Sequence, residues 1–154
     1  MGSYREFLES FVGTIEVVAD EKWLLGIDLA REPGADRPNT LTRMGVEWLQ
    51  SYFAGMPADL DLPIRPASTP FLRRVREAVM GIEPGRCLSY KDVAIAVGSP
   101  GAYRAVAMAM KRNPYAIYVP CHRVVGSSGI GGYTPGIDIK KKLLEFEKCE
   151  SINL

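Results

Sequence analysis

The sequence predicts an α+β protein: a small N-terminal lobe containing a sheet, joined to a mainly helical C-terminal lobe with a helix-turn-helix of winged-helix-like character. Three observations predict it. Two β-branched or apolar runs, TIEVVAD and LLGIDL, lie in the first thirty residues. A proline-rich stretch, AGMPADLDLPIRPASTP, interrupts the middle. Beyond it most apolar runs have helical spacing. The 154 residues are 47% hydrophobic and 24% charged, which suffices for a core in one compact unit or two small lobes. The expected division is an N-terminal lobe with its linker over residues 1–66 and a C-terminal domain over residues 67–154.

Residues 14–29 read as a β-hairpin, because the two strand-like runs are split by the charged turn EKW. REPGADRPN is a loop, since two prolines, a glycine and Asn39 defeat regular structure. Residues 40–53 read as a helix, with Leu41, Met44, Val46, Trp48, Leu49, Tyr52 and Phe53 along one broad face and Gly55 just beyond. The prolines at 57, 63, 66 and 70 then impose extended backbone on a linker. Thr69 caps a helix over residues 70–81 that carries Phe71, Leu72, Val75, Val79 and Met80 at helical spacing.

Next come a short helix over residues 90–97, the breaker GSPG, and a second helix over residues 102–112, which is helix-turn-helix spacing. On the second helix Ala102, Tyr103, Val106, Ala109 and Met110 share one side, while Arg104, Met108 and Lys111 project from the other. AIYVP, residues 116–120, reads as a buried strand, with Cys121 and His122 at its end. Adjacent side chains on extended backbone diverge, so His122 would reach the sulfur through water.

Charge is unevenly distributed. Residues 1–70 carry 6 Lys+Arg against 11 Asp+Glu, and residues 71–154 carry 13 against 7, so a basic lobe can approach phosphates while an acidic one turns away. No stretch approaches the roughly 18 to 20 apolar residues of a membrane-spanning helix, and the start MGSYREFLES lacks a basic segment followed by an apolar run. A cytoplasmic protein without membrane association is expected. Cys87, Cys121 and Cys149 are odd in number and widely spaced, which suits neither a disulfide framework nor a zinc site; thiols are expected, with no metal and no cofactor. Cys87 and Cys149 read as small buried hydrophobes.

The string PCHRVVGSSGIGGYTPG, residues 120–136, preceded by RNP and followed by KKLLEFE, resembles the active-site signature of the O6-alkylguanine-DNA alkyltransferases. The likeness extends back through YRAVAMAM and PGRCLSYKDVA to Thr69 and Phe71, and more loosely to GTIEVVAD and LLGIDL. It implies direct-reversal DNA repair: one irreversible transfer of an alkyl group from O6-alkylguanine to a cysteine after base flipping, with O4-alkylthymine a second candidate substrate. Cys121 is then the acceptor, and His122 and Glu147 draw off its proton through water, because the thiolate is the nucleophile. A thioether contains no carbonyl for water to attack, so the protein turns over once.

The same resemblance implies that Tyr90 donates to the leaving guanine and that Asn113 joins the second helix to the active-site segment. It makes Arg104 the group filling the vacated base stack, with Ala105 and Arg123 as further DNA contacts. Val119, Pro120, Gly131, Gly132, Tyr133 and Thr134 line the pocket for the flipped base. Pro135 stands where glycine is common and restricts that loop. The implied partner is double-stranded DNA carrying alkylated guanine, bound by a monomer or by monomers side by side. A non-catalytic DNA-binding module and a Cys-His hydrolase are the competing classes; neither stops at one covalent equivalent on Cys121.

Overall fold

The computed structural model describes residues 3–56 and 59–149. The chain divides into two units, Met1–Arg65 and Pro66–Leu154.

In the first unit, β1 (Tyr4–Ser10), β2 (Gly13–Ala19) and β3 (Leu24–Arg31) form an antiparallel sheet in sequence order. The expected hairpin is β2–β3. The first strand goes beyond it, pairing from Tyr4 with Ala19 to Ser10 with Gly13. Its sequence YREFLES hides it, because the buried side chain on this strand is Glu6, a carboxylate that accepts from Thr42 Oγ1 at 3.0 Å. Part of the proline-rich stretch also joins this unit: the Leu24 N–H donates to the Pro63 carbonyl at 2.8 Å, and Leu62 is buried.

The helix α1 (Thr40–Phe53) begins at Asn39, whose side chain accepts from the Thr42 N–H while Thr42 accepts from the Asn39 N–H. It packs on the sheet with Val46 and Leu49 buried, and Ile15, Val17, Leu24 and Ile27 of the strands are buried as well. Gly45 is required by that approach: a Cβ there would meet Val17 Cγ1 at 2.8 Å.

In the second unit, α2 (Pro70–Met80) starts at Thr69, which accepts from the Leu72 N–H, with proline in the first turn. Ser89 closes a capping box with Asp92 and starts α3 (Tyr90–Ala96) directly from β4 (Leu88–Ser89). Gly98, at φ 80°, turns the chain toward α4 (Tyr103–Lys111). The two helices pack together as a helix-turn-helix. On α4 Val106 is buried, and Arg104, Ala105, Met108 and Lys111 are exposed.

Residues 116–120 form a buried turn where a strand is expected. The Tyr118 N–H bonds to the Ala116 carbonyl, the Val119 N–H to Tyr115 and the Cys121 N–H to Val119, with Ile117 in the left-handed region at φ 70°. Cys121 therefore opens a 3-10 turn (Cys121–Arg123) instead of ending a strand. That turn leads into β5 (Val124–Val125), which pairs parallel to β4. The last helix, α5 (Ile137–Phe146), buries Lys140, Leu143 and Leu144.

Candidate active site

Asn113 organises the segment that presents the thiol. Its Oδ1 accepts from the Tyr115 N–H at 3.0 Å, and its Nδ2 donates to the Val119 carbonyl at 2.9 Å and to Cys121 Sγ at 3.2 Å. One amide thus satisfies a turn that no ladder pairs and points a donor at the sulfur. Cys121 is 7% exposed. Burial pushes its thiol pKa up, opposed by the Asn113 hydrogen bond and the nearby Lys140 cation.

Behind the thiol lies a buried ionic cluster. His122 Nε2 is 2.7 Å from Glu147 Oε2, and Arg123 makes a forked contact with the same carboxylate, Nε to Oε1 at 2.8 Å and Nη2 to Oε2 at 3.0 Å. Arg123 Nη1 donates to the Ile82 carbonyl at 2.7 Å. Burial would raise the Glu147 pKa, but the hydrogen bonds and charges of His122 and Arg123 outweigh it and hold the carboxyl at about 2. Burial lowers the His122 pKa despite Glu147, so the ring is neutral at pH 7. With an ionised acceptor at Nε2, that nitrogen carries the proton. Nδ1 keeps its lone pair, and it is buried with no hydrogen-bond partner among the described residues. A neutral base oriented by a carboxylate follows from these distances.

The structure brings together Cys121, His122, Glu147 and Asn113. Arg123, expected among the DNA contacts, belongs to this cluster instead: it is 7% exposed and its guanidinium is held by Glu147 and Ile82, leaving no face for a phosphate. Arg104 and Ala105 lie apart from the cluster's hydrogen bonds, on the exposed face of α4.

Tyr90, the first residue of α3, reaches the loop over residues 131–134. Its hydroxyl accepts from the Gly132 N–H at 3.3 Å, and among the described residues no acceptor takes its own proton. Gly131, at φ 76°, could carry no side chain, because a Cβ would stand 2.8 Å from the Tyr90 hydroxyl. Thr134 Oγ1 donates to the Lys111 carbonyl at 2.9 Å, tying the loop to the end of α4, and the Tyr133 and His122 rings meet edge-on with centroids 6.5 Å apart. Val119 and Pro120 are buried beside the thiol.

The residue absent from the sequence expectations is Lys140. Its Nζ donates to the carbonyls of Val124 (2.8 Å) and Gly132 (2.9 Å), and burial lowers its pKa to about 8, against the raising influence of Cys121 and Cys87. The signal was its place in the KKK run: Lys140 stands three, four and seven residues before Leu143, Leu144 and Glu147, on the stripe that packs inward. Among the described residues no group of three His, Cys, Asp or Glu side chains could hold a metal ion.

A helix-turn-helix unit carrying a buried thiol backed by a His–Glu–Arg cluster defines a protein class that couples nucleic-acid-type architecture to nucleophilic cysteine chemistry. Residues 70–149 match the DNA binding domain of 6-O-methylguanine DNA methyltransferase, and residues 3–66 match its ribonuclease-like domain. The chain belongs to the 6-O-methylguanine DNA methyltransferase family. It is 39% identical over 153 residues to the methylated-DNA–protein-cysteine methyltransferase of Methanosarcina barkeri, covering 94% of this chain and 97% of that protein. The crystal structure of the Mycobacterium tuberculosis O6-methylguanine methyltransferase is similar with a TM-score of 0.81 and 33% identity, covering 96% of this chain and 93% of that one. A structure of the M. tuberculosis protein in complex with DNA gives a TM-score of 0.80 and 35% identity over 94% of this chain and 92% of that one.

Proposed function

We propose that this protein repairs DNA by moving the alkyl group of O6-alkylguanine onto Cys121 Sγ, once per molecule. The observation that carries this is the polarity of the Cys121 site: a thiol facing an Asn113 donor, beside a neutral His122 whose protonated nitrogen is fixed on Glu147 and whose lone pair is buried. The thiol proton passes through water to Nδ1, and the imidazolium that forms is stabilised by the Glu147 carboxylate. Sulfur then attacks the alkyl carbon, the C–O6 bond breaks, and the electron pair moves into the guanine ring. The base is restored when it takes up a proton. The Tyr90 hydroxyl, polarised by the Gly132 N–H, donates toward the charge developing on guanine.

The substrate is duplex DNA, by the likeness to the M. tuberculosis protein whose structure contains DNA. A thiol 7% exposed meets a base only when the nucleotide leaves the stack. The exposed Arg104 on the first turn of α4 fills the gap, and Lys111 and Arg112 at its far end meet phosphates. Gly131, Gly132, Tyr133 and Thr134 close over the extruded base, with Val119 and Pro120 as its wall. The protein acts in the cytoplasm as a monomer, or as monomers side by side on DNA. No described helix is long and apolar enough to cross a membrane.

The test is intact mass after exposure of folded protein to O6-benzylguanine and to duplex oligonucleotides bearing O6-methylguanine. One adduct per chain, mapped to Cys121, is expected. Folded protein that binds the oligonucleotide yet keeps Cys121 as a thiol would refute the assignment.

A further inference from the structure

Cys87 and Cys149 do not behave as two separate buried hydrophobes. They are 62 residues apart in sequence, yet their sulfurs stand 2.6 Å from one another. The backbone brings them together by two independent devices. The end of α5 is wrapped by a left-handed residue, Lys148 at φ 61°, with the Cys149 N–H on the Leu144 carbonyl and the Lys148 N–H on that of Glu145. Opposite it, Gly85 at φ 88° comes so close that a Cβ there would lie 3.2 Å from the Glu147 carbonyl oxygen. The turn before β4 and the end of α5 are therefore already in contact, and the two sulfurs already face one another across it.

We propose that Cys87 and Cys149 are an oxidation site, at which an oxidant of the peroxide class converts the two thiols into an intramolecular disulfide that fastens the end of α5 to the strand leading into Tyr90. Cys87, the half-buried member, is the entry point. Its thiolate takes one peroxide oxygen, the O–O bond breaks, and a sulfenic acid forms with release of one water after protonation. The Cys149 sulfur then attacks the sulfenic sulfur, the S–S bond forms and a second water leaves. Two thiols lose two electrons and two protons to one peroxide, and a dithiol reductant reverses the change.

The bond's location gives it consequences. Cys149 follows Glu147 by two residues, and Cys87 precedes Tyr90 by three, so the disulfide ties together the segments that carry the carboxylate behind His122 and the hydroxyl over the loop at 131–134. Cys121 takes no part. Its thiol is buried and protonated, which makes it a poor peroxide nucleophile.

The experiment uses the full chain, reduced and then treated with one equivalent of hydrogen peroxide, alkylated with iodoacetamide and digested without reductant. A Cys87–Cys149 linked peptide is expected, with Cys121 recovered alkylated. The apparent Tm should rise by about 10 °C, given the long loop closed, and dithiothreitol should reverse the rise. Cys87→Ser, Cys87→Ala and Cys149→Ser should each fold and lose the oxidant-dependent shift, each measured against its own reduced form. Recovery of Cys87 and Cys149 as alkylated thiols from folded, peroxide-treated protein would overturn the proposal. So would a link from either to Cys121 or to a second chain. None of these outcomes bears on benzyl transfer to Cys121 in the reduced protein, so the two readings fail separately.

Discussion

Replacing Glu147 with glutamine removes one charge and almost no volume from the centre of the site. The carboxylate now accepts from His122 Nε2 and from two nitrogens of Arg123. An amide has one acceptor oxygen, and whichever way it turns, its NH2 faces a guanidinium N–H. If that NH2 also faces His122, the imidazole must switch tautomer, putting its proton on Nδ1 and losing the lone pair that we propose takes up the Cys121 proton. The magnitude follows from the depressed carboxyl pKa. Holding the carboxyl at about 2 in place of 4.5 corresponds to about 3 kcal/mol in favour of the ionised form. Because the folded pKa is depressed, this stability is fully present above about pH 4.5 and is lost as pH falls toward 2. Glu147→Gln should therefore lower unfolding stability by about 3 kcal/mol at pH 7, with the gap to the parent closing between pH 4.5 and 2. Benzyl transfer followed by intact mass should slow by roughly a hundredfold or more at pH 7. Urea unfolding across that pH range, paired with the transfer rate, is the measurement. A gap that stays constant from pH 7 to pH 3, or an unchanged rate, would refute the reasoning.

Two further outcomes are expected. Arg104→Ala should slow repair of O6-methylguanine in duplex DNA by at least tenfold while leaving transfer from free O6-benzylguanine within about twofold, since extrusion costs a few kcal/mol only in the duplex; equal losses in the two assays would remove the wedge. Lys140→Met should slow transfer by roughly tenfold or more, since it deletes a cation whose charge favours the thiolate. It should also change the alkaline stability profile: the folded lysine releases its proton near pH 8 while the unfolded one holds it to about 10.5, so the parent gains stability from this group across that window and the variant does not. Parallel thermal-unfolding profiles for the two proteins between those limits would exclude that role.

Helix starts were legible because they are written in short-range chemistry. Thr69 before Pro70, and Gly81 after Met80, mark α2 to within a residue, and the GSPG breaker separates α3 from α4. What the sequence hid was long-range. The strand β1 buries Glu6, so its alternation carries a carboxylate where a pattern search wants an apolar group. AIYVP is apolar and β-branched like a strand, but its backbone bonds within its own turn and to the side chain of Asn113 upstream, which periodicity does not register. Arg123 reads as an exposed cation beside the signature cysteine, until folding delivers a carboxylate from 24 residues away to meet it. The Cys87–Cys149 contact spans 62 residues and has no local mark.

The cluster around Cys121 also has a charge balance that no single residue displays. Arg123 is cationic, and Lys140, with a pKa of about 8, is largely so at pH 7; Glu147 is the anion, while His122 is neutral. With Cys121 as a thiol, the buried groups hold two positive charges against one negative. Moving the thiol proton to Nδ1 makes an imidazolium beside Glu147 and a thiolate near Lys140, which pairs each new charge with a standing opposite one. The net charge stays at one positive through that transfer, and Lys140 and Glu147 offset part of the cost that burial sets on separating the thiol from its proton. Burial raises the thiol pKa in the resting protein, which keeps the sulfur protonated at neutral pH. The Lys140 cation and the Asn113 donor oppose that rise and favour the thiolate when it forms. Transfer ends with a neutral thioether, which can never again supply the negative charge for which Lys140 is placed.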